Sequence, residues 1–285
     1  MKVAISFIAA LALAAGASAS TPSVAAMTLQ KADVPGAKVS SHSTKETGYI
    51  AAYERDFELS SPYGTSRIVF LQNEAMLAAS ADKAASDLAL IQKAFSSKGG
   101  KKLLVSSIAK ETKVKPSAVV VGKLRPVAGW DQAFELPVSV KTKAGRVYEN
   151  LSYLRIDRVV VLLAETGLHG ISTADTAHFA SLVAGHITTT LTPAMTSPPT
   201  ISGTAQQGQT LTASPGTWTA DDAAFTYQWQ HCDSAGANCV DVAGATAQTY
   251  AVTAADVGTT LHVVVSASNR FGSATAPSAP SAVVT

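Results

Sequence analysis

The last third of the chain, residues 199–284, alternates apolar and polar side chains in short segments separated by turn residues. In residues 225–229 the aromatic side chains share one face of the segment, and Thr226 and Gln228 share the other. Residues 261–268 repeat this alternation, with an apolar residue at every second position. A period of two places one face of an extended strand in a core. The pattern therefore predicts an all-β domain of short strands.

A series of short motifs follows the same order along this region. They are Ile201-Ser202-Gly203-Thr204 with Gly208-Gln209-Thr210-Leu211, Pro215-Gly216-Thr217-Trp218, Tyr227-Gln228-Trp229-Gln230, and Asp256-Val257-Gly258. Together they resemble the bacterial immunoglobulin-like modules that recur in secreted and surface proteins. The resemblance implies a β-sandwich, with Trp229 in its core on a central strand.

The chain has two cysteines, Cys232 and Cys239, with six residues between them. Antibody-type domains pair cysteines from distant strands, so this short spacing departs from that pattern and suits a disulfide that closes a hairpin loop. Such a ring stabilises a fold by roughly 2–3 kcal/mol, and export favours its oxidation. A metal pair is the alternative, but two thiols and the adjacent His231 leave a tetrahedral site incomplete. The spacing therefore predicts a disulfide and no metal site.

The first 19 residues have the layout of a secretory signal peptide. Lys2 precedes an apolar, uncharged run over residues 3–16, and small residues precede a cleavage site expected between Ala19 and Ser20. The apolar run is shorter than the ~20 residues that a membrane-spanning helix needs. We therefore expect a mature chain without a membrane span that is secreted or associated with the cell wall.

Composition and charge divide the mature chain into two parts. Hydrophobic residues make up 47% of the chain and charged residues 15%, which excludes a disordered chain. From Ser197 onward Arg270 is the one basic residue against five aspartates, whereas the preceding part is net basic. Residues 192–199 are rich in Thr, Ser and Pro, which predicts a linker. It would join a domain at residues 27–191 to the β-domain at residues 199–285.

Residues 27–191 mix the periods of strands and helices. Alternation over residues 53–59 and several later apolar segments predict strands joined by tight turns. One helix is expected from Ser80 to Gly99-Gly100, and a second from Ser172 onward. This order predicts an α+β domain, an antiparallel sheet with two main helices, followed by the all-β immunoglobulin-like sandwich. The order of elements resembles exported PsbP-like bacterial domains, which implies a small accessory domain.

The residues that most often carry catalysis do not form a motif here. Ser172 lies in the nearest approach to a nucleophile elbow, but the second glycine is missing and we interpret the serine as a helix cap. His178 and His186 are eight residues apart, not the four of a helical zinc motif. The sequence therefore predicts no catalytic residue and no cofactor.

One strand carries acidic residues at alternate positions, Glu54, Asp56 and Glu58. Their spacing permits the carboxylate pair of a glycosidase. A solvated strand face predicts the same alternation, and no aromatic-rich sugar cleft is evident nearby. We therefore interpret the three acids as a solvated face.

Basic residues cluster after the first predicted helix. The candidate residues for an anionic partner are Lys98, Lys101, Lys102, Lys110, Lys113 and Lys115. We interpret residues 98–102 as a helix end and loop. We interpret the lysines as solvated; the alternative is that they attract an anionic surface polymer or lipid headgroups by screened Coulomb forces. No aromatic residues are interleaved with them, so nucleic acid is not an expected partner.

These observations predict a secreted or cell-surface-associated, non-enzymatic interaction protein. Its N-terminal domain would bind an anionic cell-envelope polymer or another surface protein, and its immunoglobulin-like module would serve adhesion or spacing. The alternative is a secreted hydrolase with its catalytic residues in the N-terminal domain. The sequence does not predict the oligomeric state.

Overall fold

A computed structural model describes residues 23–44, 49–220 and 222–285. The chain divides into two compact units, a first unit that ends at Ile187 and a second unit that runs from Thr188 to Thr285. The predicted signal peptide and its cleavage site at Ala19 and Ser20 lie outside the described residues.

Long antiparallel strands dominate the first unit. They are β1 (Ala37–Thr44), β2 (Tyr49–Tyr63), β3 (Ile68–Ala78), β4 (Val119–Val121), β5 (Arg125–Pro126), β6 (Gln132–Thr142), β7 (Gly145–Ile156) and β8 (Val159–Gly167). Within the described residues they form one eight-stranded sheet in the order β1-β2-β3-β8-β7-β6-β4, with β5 also paired to β6. One edge is therefore β1, and the other is formed by the short strands β4 and β5, which pair with different parts of β6.

Helices cover both faces of this sheet. They are α1 (Val24–Met27), α2 (Ala81–Ser96), α3 (Lys98–Glu111) and α4 (Thr173–Leu191). The expected cap of α2 is present, because Ser80 Oγ accepts a hydrogen bond from the Lys83 N–H at 3.1 Å. Leu88 of α2 and Ile108 of α3 pack into one cluster with Phe134 of β6. Burial of each such side chain stabilises the unit by about 2 kcal/mol.

The opposite face of the sheet is covered by α4 and by the segment that precedes β1. The Leu29 N–H donates to Asn73 Oδ1 of β3 at 2.7 Å, and Thr176 of α4 contacts side chains of β7 and β8. Every residue of β8 is buried, as expected for a strand with both faces covered.

The second unit contains shorter strands. They are β9 (Met195–Ser197), β10 (Thr200–Ser202), β11 (Thr210–Ser214), β12 (Thr217–Trp218), β13 (Ala224–Cys232), β14 (Val240–Asp241), β15 (Thr249–Ala251), β16 (Thr260–Asn269) and β17 (Gly272–Pro277). Trp229 is fully buried and its indole Nε1–H donates to the Ala247 carbonyl at 2.9 Å. Leu261 and Val263 of β16 are also fully buried, which confirms the predicted inward face of that strand.

The predicted fold class, an α+β domain with two main helices followed by an all-β immunoglobulin-like sandwich, is wrong. The described residues are mostly strand, 44% against 24% helical, and they contain four α-helices. The strands of the second unit fall into separate sheets of three, two and four strands. Two of the elements that the sequence did not predict are β1, which is mostly polar, and α3, which has two glycines in its first turn.

Two segments also differ locally from expectation. Residues 98–102, interpreted as a helix end and loop, form the first turn of α3. Within the predicted linker at residues 192–199, Met195–Ser197 pair as β9 with β12. In both places tertiary packing decides the structure in spite of an unfavourable local composition.

Candidate functional site

Five of the six candidate lysines are exposed on α3 and on the turn that follows it. We call this set the basic surface; it comprises Lys98, Lys102, Lys110, Lys113 and Lys115. Lys101 differs, because it is half-buried and its Nζ donates to the Gly122 carbonyl at 3.2 Å. The structure thus leaves five ammonium groups free to face solvent and gives the sixth a local structural contact.

The folding of α3 explains this arrangement. Leu104 and Ile108 point to the sheet and are buried, so helical periodicity turns Lys102 and Lys110 toward water. Leu103 lies between them on the outward side and is 73% exposed. Residues 88–130 contain nine basic residues and a single acid, Glu111. A concentration of one sign of charge attracts anions over about one Debye length, ~8 Å at physiological salt.

A second set of polar residues lies inside the first unit and was not predicted. We call it the buried polar cluster; it comprises Glu135 of β6, Asn150 of β7, Glu165 of β8 and Thr176 of α4. Asn150 Nδ2 donates to Glu135 Oε2 at 2.7 Å and lies 3.4 Å from Glu165 Oε2. The Thr176 hydroxyl donates to Glu165 Oε2 at 2.6 Å. Asn150 therefore bridges two carboxylates that come from different strands.

The electrostatics of the buried polar cluster are unusual because it holds two carboxylates and few cations. Burial raises the pKa of Glu165 to about 7. Hydrogen bonds from Thr176 and Asn150 act to lower this pKa, and the negative charges of Glu135 and Asp175 act to raise it. Glu135 has a cationic neighbour, since Arg125 Nε lies 2.6 Å from its Oε1. The exposed fractions of Glu135 and Glu165 are 2% and 0%. The enclosure of these two carboxylates does not fit them to hold a polymeric substrate.

The sequence contains only a weak signal for this cluster. Glu135 stands between Phe134 and Leu136, and Glu165 ends a run of six apolar residues. A charged residue inside a strand that is buried on both faces is rare unless it is paired. Such interruptions could have identified both positions, had the strands first been recognised as doubly covered.

The carboxylates selected from the sequence behave differently from the expected solvated face. Glu54 is buried, with 7% of its surface exposed, and lies opposite Glu74 of β3 in the sheet register. Asp56 is half-buried, and Glu58 is exposed. The interpretation as a solvated face is therefore wrong for Glu54, because α2 covers this side of the sheet.

The two cysteines are joined in the structure, with their sulfurs 2.02 Å apart. The histidine nearest to them is His262 of β16, whose nitrogen lies within 4.8 Å of both sulfurs. His231, the residue considered in the metal alternative, contacts Asp256 instead. A disulfide in the protein itself stays a prediction, which non-reducing mass spectrometry of the Cys232 and Cys239 peptides would test.

The remaining candidate residues are dispersed. Ser172 Oγ accepts from the Asp175 N–H at 3.1 Å, the contact expected of a helix cap. His178 Nε2 lies 3.3 Å from the Tyr63 hydroxyl, and His186 Nε2 lies 2.8 Å from Asp33 Oδ2. These contacts bind α4 to other elements and do not bring the two histidines together.

Comparison with known proteins gives little further information. No protein-family model and no curated protein matches the chain. Among solved structures, the extracellular domain of PknH from Mycobacterium tuberculosis is similar at 11% identity and a TM-score of 0.35. That match covers 57% of this chain and 94% of the PknH chain. A likeness this slight carries no argument about function. None of the helices in the described ranges combines the length and apolar character needed to cross a membrane.

Proposed function

We propose that this chain is an exported, non-enzymatic binding protein that attaches to an anionic polymer of the cell envelope through the basic surface. The observation that carries the proposal is the exposure of Lys98, Lys102, Lys110, Lys113 and Lys115 on α3 and the turn after it. Ammonium groups that the fold does not use for its own contacts remain available to an external anion.

The geometry of α3 favours a polymer over a small anion. Three lysines of the basic surface lie along α3, a helix of 14 residues that is about 21 Å long, and the other two follow its end. Point charges distributed over this length match repeated negative groups on a chain better than one phosphate or carboxylate. Each exposed contact is weak and screened by salt, so affinity depends on several of them acting together.

The second unit serves adhesion or spacing in this proposal. Its motifs resemble those of bacterial immunoglobulin-like modules, and its five aspartates against Arg270 make it acidic where the first unit is basic. An acidic unit would not itself bind an anionic polymer, since like charges repel. We therefore assign polymer binding to the first unit alone.

The test compares two double variants with the same change in charge. Lys102→Glu/Lys110→Glu reverses two charges of the basic surface, and Lys141→Glu/Lys143→Glu reverses two exposed charges at the β6–β7 hairpin. The mature full chain and both variants are incubated with a purified bacterial cell-wall fraction and with dextran sulfate over a range of salt concentrations. We expect the first variant to lose at least about fivefold in retention at low salt, and the control less than about twofold.

Salt provides the second criterion. Retention of the unmodified protein should fall steeply between low and high ionic strength, because screening weakens each lysine contact. Retention that does not respond to salt, or equal losses in both double variants, would contradict the proposal.

A further inference from the structure

The first turn of α4 is attached to the rest of the first unit by two adjacent side chains. Asp175 accepts hydrogen bonds from the Thr65 hydroxyl at 3.1 Å and from the Ser66 N–H at 3.0 Å. Gly64 permits this approach, since a Cβ there would lie 2.5 Å from Asp175 Oδ1. The next residue, Thr176, reaches the sheet and donates to Glu165. The first attachment thus uses a carboxylate of α4, that of Asp175, and the second uses a carboxylate of the sheet, that of Glu165.

The charged groups around Glu165 carry more negative than positive charge. Glu135 of β6 and Asp175 of α4 add negative charge, and Arg125 of β5 is directed to Glu135. The neighbouring positions on β7 and β3 are the neutral residues Asn150 and Leu71. When every carboxylate is ionised, three negative charges therefore face one guanidinium group. Glu135 and Glu165 are buried, whereas Asp175 and Arg125 are partly exposed.

Three polar atoms in the cluster accept no hydrogen bond in the described structure: Glu135 Oε1, Asn150 Oδ1 and Glu165 Oε1. Glu135 Oε1 lies 2.6 Å from the Arg125 guanidinium, so among the described residues Glu165 Oε1 is the carboxylate oxygen of the cluster with neither a donor nor a cation beside it. An ionised Oε1 without a donor is costly when it is fully buried. A proton on this atom removes the charge and leaves Oε2 free to accept from Thr176 and Asn150.

We propose that Glu165 is a proton-controlled latch for the first turn of α4. With a proton on Oε1 the cluster is closed and Thr176 stays on the sheet. Loss of that proton strengthens the hydrogen bonds that Oε2 accepts, but it leaves charge on Oε1 without a donor, so water enters the cluster and the turn loosens. The raised pKa of Glu165, about 7, places this change between mildly acidic and mildly alkaline conditions. Asp175 does not change its protonation together with Glu165. Burial acts to raise the pKa of Asp175, but hydrogen bonds from Ser66, Ser172 and Thr65 hold that pKa below its usual range.

The experiment measures hydrogen exchange of the full mature chain between pH 5.5 and 8.5, corrected for the intrinsic dependence of exchange on pH. Amides of residues 175–179 should lose at least about tenfold in protection over this range, because the open state is favoured as Glu165 ionises. In Glu165→Gln the change should be less than about threefold. Glu58→Gln, an exposed acid on β2, is the matched control and should behave like the unmodified protein.

A direct titration makes the test independent of whether Glu165→Gln folds. Carbon-13 NMR of the glutamate carboxyl groups in the unmodified chain should show Glu165 titrating near pH 7. Titration of Glu165 close to 4.5, or protection of residues 175–179 that is flat with pH, would overturn the latch. Equal loss of protection in Glu165→Gln and in the unmodified chain would overturn it as well.

Discussion

Asp256 shows how a single carboxylate organises part of the second unit. It is fully buried, and its Oδ2 accepts from the Thr253 N–H at 2.6 Å and from the Thr253 hydroxyl at 2.8 Å. Tyr250 donates to both of its oxygens, and His231 contacts Oδ1. These contacts join β13, β15 and the 3₁₀ turn Ala254–Asp256. Burial acts to raise the pKa of Asp256, but the hydrogen bonds from Thr253, His231 and Tyr250 outweigh it and lower the pKa.

Replacement of Asp256 should reduce the free energy of unfolding by an amount that depends on pH. Asp256→Asn should reduce the free energy of unfolding at pH 7 by about 2 kcal/mol, because charge-assisted hydrogen bonds to a buried group are lost. The loss should shrink as pH falls below about 4. A carboxylate whose pKa is lowered by folding stabilises the fold at pH values above its unfolded pKa. It loses this contribution as pH falls and the carboxylate protonates. Urea unfolding at pH 7 and pH 3 measures both effects. Asp241→Asn, an exposed acid bound by Gln230, is the control; an equal effect there would contradict the prediction.

At the scale of elements, the junction of α2 and α3 depends on one serine. Ser97 follows the last residue of α2, and its Oγ accepts from the Gly100 N–H at 2.9 Å to begin α3. Its N–H also donates to the Ala94 carbonyl at 3.1 Å. The extended backbone of Ser97 turns the chain, so two helices form where one helix and a loop were expected. Burial of Leu104 and Ile108 then offsets the cost of two glycines in the first turn.

Those two glycines should respond differently to the same substitution. Gly100→Ala should reduce the free energy of unfolding by about 2 kcal/mol or more, because the new Cβ would collide with the Ala94 carbonyl. Gly99→Ala should be neutral or stabilising by up to about 1 kcal/mol, since its surroundings are open and alanine favours helix. Thermal denaturation followed by circular dichroism compares them. Similar midpoints for the two variants would show that the close contact does not exist.

What the sequence could predict depended on how many faces of an element are covered. The cap at Ser80 was predictable because serine is a preferred N-cap residue. The inward face of β16 was predictable because one side of that strand meets a core and the other meets water. In β8 both faces are buried, so its apolar run predicted a strand but not that Glu165 lies in the interior. The full width of the sheet was missed because the polar strand β1 and the short strands β4 and β5 lack a recognisable pattern. The basic surface was recognisable by charge, but its division into exposed lysines and the bound Lys101 required the helix.

At the scale of the whole molecule, the two units should respond to pH in opposite directions. In the first unit, burial raises the pKa of Glu149 to about 8, with a further contribution from Glu111, and raises that of Glu165 to about 7. Groups with raised pKa values stabilise the fold fully below their unfolded values near 4.5 and lose this contribution as pH rises through 7 and 8. In the second unit, burial lowers the pKa of His262, so that unit loses stability as pH falls through and below about 6.5.

Calorimetry of the full chain should therefore show two transitions that move in opposite directions with pH. Between pH 5 and pH 8.5 the midpoint of the first unit should fall by roughly 10 °C, since about 3 kcal/mol or more is lost as the buried glutamates ionise. The midpoint of the second unit should rise slightly over the same range. Glu149→Gln should flatten the pH dependence of the first transition and leave the second unchanged, which assigns each transition to its unit. Parallel shifts of both midpoints, or a first transition that gains stability above pH 7, would mean that these carboxylates are hydrated in the folded protein.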